Sequence, residues 1–114
     1  MGTGNIILPG AIIDPEVEIG SHVTINKTAT IGHNTLLEDY SQISPGVNIG
    51  GYVHIQEGVF IGLGAAILPH VVIGSNSILG AGSTAVKNIP ANCTAVGSPA
   101  KPIKSNLSLN AITS

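Results

Sequence analysis

Val47-Asn48-Ile49-Gly50-Gly51-Tyr52-Val53-His54-Ile55-Gln56-Glu57-Gly58-Val59-Phe60-Ile61 repeats one pattern three times: Val, a variable residue, Ile, then three residues of mixed character. The period is six. Followed outward in both directions, the Ile position recurs at Ile7, Ile13, Ile19, Ile25, Ile31, Leu37, Ile43, Ile49, Ile55, Ile61, Ile67, Ile73 and Leu79, without a break. Four residues after each of these stands a small or β-branched residue, from Ala11 and Val17 through to Ser77 and Ser83. Gly directly follows the aliphatic position at Gly20, Gly32, Gly50, Gly62, Gly74 and Gly80.

The small residue and the next aliphatic are two apart, so both point to one side of a strand, and the residue between them points out. The other three residues turn a corner, where Gly, Asn and Asp tolerate positive φ. A period of six does not match the 3.6 of an α-helix. One hexad is therefore one short strand plus one corner, and three hexads close a triangular lap. Successive laps stack as parallel strands about 4.8 Å apart, with the aliphatic ladder filling the interior. The expected fold is all-β, a three-sided parallel β-helix over residues 1–83. At about 4.3 coils and about 21 Å of height, such a stub leaves two open ends. Short solenoids need caps or neighbours, so an oligomer is expected.

After Leu79 the pattern lapses. Gly80-Ala81-Gly82-Ser83 is read as the end of the regular prism, Lys87 to Asn92 as a turn, and Val96 to Lys101 as an extended segment. Residues 84–104 are thus expected to form an extension packed on the prism. Residues 105–114 form a polar tail that frays or makes a short helix. No second domain or linker is visible.

Composition narrows the function classes. Four Lys and no Arg give no basic footprint for nucleic acid. No apolar run reaches 18 residues, so no membrane span is expected, and Met1-Gly2-Thr3-Gly4 opens no secretory signal. Cys93 is the single cysteine, which rules out an intramolecular disulfide and makes the cytoplasm the expected compartment. His22, His33, His54 and His70 include no close pair, so no metal site is expected. An ice-binding face needs an outward Thr ladder, and the outward column Thr24, Gln42, Phe60, Ile78 lacks one.

If eighteen residues make one lap, residues eighteen apart are stacked. His33 then lies beside Gly51, whose missing side chain leaves its N–H approachable. Imidazole accepts protons near neutral pH, so His33 is the candidate general base, the alternative being a solvated corner His. Asp14, one coil below Gly32, and Asn34 are the two candidates for orienting the ring. Leu63 and Ala81 form a second stacked pair. Cys93 has no neighbouring base and is not expected to act as a nucleophile.

From about Ile31 to Ile103 the chain resembles the hexapeptide-repeat acyltransferases, and in particular the sialic-acid and bacillosamine-pathway sugar acetyltransferases. The resemblance is carried by Ile31-Gly32-His33-Asn34, Glu38 to Gly46, Gly50-Gly51, Phe60 to Gly64, Gly80 to Ser83 and Val96 to Lys101. It implies left-handed winding, a homotrimer, and acetyl-CoA as co-substrate without a metal. It implies direct transfer of acetyl to an amino or hydroxyl group of a sugar or nucleotide sugar. His33 becomes the base and the Gly51 N–H the oxyanion donor. The resemblance places coenzyme contacts at Gln42, Gly51, Leu63 and Ala81, and coenzyme phosphates near Lys87 and Lys101. Two positions depart from the family pattern. Asn34 stands where an acidic neighbour of the His is usual, and Gln42 where a second His is usual. The acceptor-binding first domain of family members is expected to be absent or supplied otherwise. The competing expectation is a non-catalytic trimerising scaffold.

Overall fold

A computed structural model describes residues 1–105. Two-residue strands recur every six residues and sort into three faces, each made by every third strand. The first face holds β1 (Ile6–Ile7), β4 (Thr24–Ile25), β7 (Gln42–Ile43), β10 (Phe60–Ile61) and β13 (Ile78–Leu79). The second holds β2 (Ile12–Ile13), β5 (Thr30–Ile31), β8 (Asn48–Ile49), β11 (Ala66–Ile67) and β14 (Thr84–Ala85). The third holds β3 (Glu18–Ile19), β6 (Leu36–Leu37), β9 (His54–Ile55) and β12 (Val72–Ile73). Every pairing among β1–β14 is parallel and shifts the register by one lap, as in Ile25↔Ile43 and Ile31↔Ile49.

The lap has the expected length because the ladder requires it. Ile25, Ile31, Leu37, Ile43, Ile55, Ile61, Ile73 and Leu79 are almost wholly buried, and each sits on its equivalent one coil away. The small column beside them includes Thr35, Ser41, Ser77 and Ser83, which are also buried. Buried hydroxyls need partners, and the corners supply them. Thr35 Oγ1 donates to Gly50 O at 2.9 Å and accepts from Val53 N at 3.2 Å. Ser41 Oγ donates to Glu38 O at 2.9 Å. A polar residue in this column thus closes a corner.

Each corner from β1 to β14 carries one residue in the left-handed region. Gly10, Thr28, Gly46, Gly64 and Gly82 line the edge between the first and second faces. Glu16, Asn34, Tyr52 and His70 line the edge between the second and third. His22, Tyr40, Gly58 and Asn76 are among those on the remaining edge. Each column repeats at the same one-lap interval as the strands.

The prism extends past residue 83, beyond the expected boundary. β14 adds another rung to the second face, and Ile89 bridges to Ile73 on the third. On the first face β15 (Cys93–Gly97) then pairs in parallel with β13, Leu79 opposite Ala95. These last pairings join residues sixteen apart instead of eighteen, and the interior positions become Ala85, Ile89 and Ala95, all buried. Two of these three rungs are Ala in place of a bulky aliphatic, and the spacing from Ala85 to Ile89 is four residues instead of six. The fixed period of bulky aliphatics therefore stops one coil short of the end of the prism. The segment read as extended reverses: β16 (Ala100–Ser105) runs back antiparallel along β15 and widens the first face. Of the tail expected at 105–114, residues 106–114 lie outside the described residues.

Ile61 is fully buried in the middle of the ladder. Ile61→Ala is expected to destabilise the fold by about 2–5 kcal/mol through lost burial and an unfilled cavity. Denaturant unfolding checks this, and a loss below about 1 kcal/mol would show that the ladder is not close-packed.

Candidate active site

The edge between the second and third faces brings His33 and Gly51 together. A Cβ added to Gly51 would lie 2.9 Å from His33 Nε2 and 3.0 Å from its Cε1, so the imidazole covers the space that a side chain would take. Glycine is needed below as well: a Cβ on Gly32 would lie 2.6 Å from Gly51 N. Gly32 and Gly51 therefore let these two corners stack closely, and Gly50, whose Cβ would lie 2.7 Å from Pro69 N, does the same for the next corner along the column. Tyr52 N donates to His33 O at 2.9 Å and locks the two corners in register. Gly50 N donates to Ile67 O at 2.9 Å, whereas the Gly51 N–H donates no hydrogen bond among the described residues.

Asn34 holds the imidazole. Its Oδ1 is 3.2 Å from His33 Nδ1. If the amide oxygen is the acceptor, Nδ1 carries the proton and Nε2, the ring nitrogen nearest Gly51, keeps its lone pair. Asp14 stacks under this corner, its N donating to Ile31 O at 3.0 Å. Its carboxylate makes no hydrogen bond to His33 among the described residues. Of the two candidate orienting groups, only Asn34 is hydrogen-bonded to the ring among the described residues.

The residues expected to meet a coenzyme lie elsewhere on the prism. Gln42 points outward on the first face between Thr24 and Phe60. Leu63 and Ala81 are exposed and stacked on the edge between the first and second faces. That edge is bare: a Cβ on Gly64 or Gly82 would meet nothing within 4 Å. Lys87 is exposed at the top of the His33 edge, and Lys101 is exposed on β16 beside the first face. Within one chain, His33 and the bare glycine edge are thus separated by the second face.

Three features were not anticipated from sequence. Tyr52 packs against His33 at 90°, ring centroids 5.2 Å apart. His70 stacks on Tyr52 at 5.2 Å and 6°. Both follow from the lap rule applied to Asn34, which leads to 52 and then to 70. On the third face His54 Nε2 is hydrogen-bonded to Glu38 Oε2; the pair is sixteen residues apart, two short of a lap. Cys93 is buried, with Sγ 3.2 Å from Pro90 O. No three of His, Cys, Asp and Glu cluster to hold a metal among the described residues. No described helix is long and apolar enough to cross a membrane.

The winding and the stacked hexads define the class, a left-handed parallel β-helix of the acyltransferase type. A family model described as the GMPPB C-terminal domain matches residues 2–113. The chain belongs to that family, and its homologues are hexapeptide-repeat acetyltransferases. A Schizosaccharomyces pombe protein named as an acetyltransferase is 40% identical over 88 residues, covering 77% of this chain and 42% of its own length. The GDP-perosamine N-acetyltransferase of Escherichia coli O157:H7 is 34% identical over 109 residues, covering 91% of this chain and 49% of its own. The acetyltransferase domain of PglB from Neisseria gonorrhoeae FA1090, solved with acetyl coenzyme A, is 32% identical. It superposes with a TM-score of 0.71, covering 90% of this chain and 54% of that one. The chain spans less than half the length of these two curated relatives.

Gly51 has no left-handed φ, so alanine meets no φ penalty there; its Cβ would press hardest on the imidazole, 2.9 Å from Nε2, and also on His33 O at 3.2 Å, so the ring must yield and the corner must give by a few tenths of an ångström. Gly51→Ala is expected to keep the fold and displace the His33 ring. The nuclear Overhauser contact between His33 and Tyr52 should weaken or vanish while the melting temperature changes little. A preserved ring contact would show that His33 does not sit over Gly51.

Proposed function

We propose that the protein is an acetyl-CoA-dependent acetyltransferase that acts as a homotrimer on an amino or hydroxyl group of a sugar or nucleotide sugar. One observation carries the reading. His33 Nε2 lies 2.9 Å from where a Gly51 Cβ would stand, and the neighbouring Gly51 N–H donates no hydrogen bond among the described residues. Acyl transfer from a thioester needs those two groups: a base for the nucleophile's proton and a donor for the carbonyl oxygen as it becomes an oxyanion.

The acceptor heteroatom attacks the thioester carbonyl carbon as Nε2 takes its proton. The carbonyl oxygen gains the electron pair and is held by the Gly51 N–H. Collapse of this tetrahedral species breaks the C–S bond, and the proton passes from His33 to the departing thiolate. Asn34 keeps the proton on Nδ1 throughout, so Nε2 remains the working atom. No acyl-enzyme forms, in keeping with the burial of Cys93.

The trimer answers the separation seen within one chain. A second prism alongside the His33 edge presents its glycine edge, where the pantetheine arm lies against backbone at Leu63 and Ala81. Gln42 then contacts the coenzyme, and Lys87 and Lys101 meet its phosphates as charged donors. The co-substrate fits what the PglB domain binds, and a nucleotide-sugar acceptor fits the name of the perosamine enzyme. A cytoplasmic setting suits both small molecules and a free, buried thiol.

His33→Ala is expected to cut acetyl transfer at least about 100-fold while the trimer persists by size-exclusion chromatography with light scattering. Unchanged turnover removes His33 from the mechanism. The scaffold reading is separated by calorimetric titration with acetyl-CoA: micromolar binding supports the enzyme, and silence supports the scaffold.

A further inference from the structure

His33 is exposed, so its ring needs restraint if Nε2 is to stay over Gly51. The Asn34 hydrogen bond fixes one ring atom, and a ring held at one atom still tilts. The second restraint is Tyr52, whose ring stands at 90° to the imidazole with centroids 5.2 Å apart. That is the edge-to-face geometry favoured by aromatic quadrupoles. Tyr52 is itself 52% exposed and is steadied in turn by the parallel ring of His70.

The backbone adds a second argument. Asn34, Tyr52 and His70 follow one another up a single corner column, with φ of 61°, 58° and 69°. Asn or Gly adopts that conformation at least cost, and a bulky ring is disfavoured there. Such strain persists only where surrounding contacts over-determine it. The same conformation recurs at Glu16, Thr28 and Asn76, so the stacking of coils imposes it here, and it sets Tyr52 and His70 one above the other in a chain of rings that ends on the candidate base.

We infer that Tyr52, braced by His70, is a positioning residue that holds the His33 imidazole over Gly51; this rests on His33 being the base of the proposed transfer. Its contribution is alignment, and misalignment of a base by about an ångström is enough to slow chemistry.

The test compares Tyr52→Ala, Tyr52→Phe and His70→Ala, using an acceptor that gives wild-type turnover. Tyr52→Ala should lower kcat about tenfold and leave the KM for acetyl-CoA within about twofold. Tyr52→Phe should keep near-wild-type kcat, because the ring does the bracing. His70→Ala should give a smaller fall, about threefold. The imidazole proton resonances of His33 give a readout that needs no turnover. Tyr52→Ala should move them. Tyr40→Ala, which removes the stacked His22–Tyr40 pair on another edge, should leave them in place. Unmoved His33 resonances in Tyr52→Ala, or a kcat loss that phenylalanine does not rescue, would overturn the inference. If the resonances move and wild-type protein transfers no acetyl to any acceptor tried, positioning stands and the proposed reaction fails.

Discussion

The stacking of one aliphatic rung on the next governs the whole molecule. A two-residue strand contributes too little by itself to hold any shape. It is stable only when its Ile or Leu packs on the equivalent residue one coil away and its backbone pairs with the coils above and below. The corners must therefore close after a fixed number of residues, and that number sets which outward-facing groups become neighbours. Gly32 N donates to Ile49 O at 2.8 Å, and the next corner residue, His33, consequently lies against Gly51. The site is a by-product of the register that buries the ladder.

The same constraint explains how much could be read from the residues alone. Strand positions, faces and the His33–Gly51 adjacency all follow from a period of six and a lap of three hexads. The final coil did not, because its laps to Ile89 and Ala95 are two residues shorter and two of its three rungs, Ala85 and Ala95, carry no bulky signature. The choice between Asp14 and Asn34 also lay beyond the sequence. Lap arithmetic places both near His33, but only side-chain geometry shows that Asn34 Oδ1 meets Nδ1. Tyr52 and His70 were reachable in position yet not in role, since spacing fixes neighbours and leaves ring orientation open. The Glu38–His54 pair escaped because it spans slightly less than one lap.

A prism presents its side chains on convex surfaces, and a convex surface does not enclose a substrate. Along one edge the prism carries an imidazole hydrogen-bonded to Asn34, and along another a run of bare glycine corners at Gly46, Gly64 and Gly82. The second face lies between them. In the proposed reaction each edge supplies half of what acyl transfer requires, and packing of copies side by side is the simplest way to turn two convex edges into one cleft. In that arrangement catalysis and assembly are the same event, and a chain of this size needs no internal cavity.

The most direct test of that account is complementation between two inactive variants. Chains carrying His33→Ala retain the glycine edge, and chains carrying Ala81→Trp retain the imidazole while a bulky ring blocks the coenzyme edge. Each alone should be inactive. Trimers assembled from a mixture of the two should recover a substantial fraction of wild-type acetyl transfer, because some junctions unite an intact His33 with an intact glycine edge from a different chain. Mixed trimers, verified by native mass spectrometry, that remain as inactive as either parent would contradict a site shared between copies.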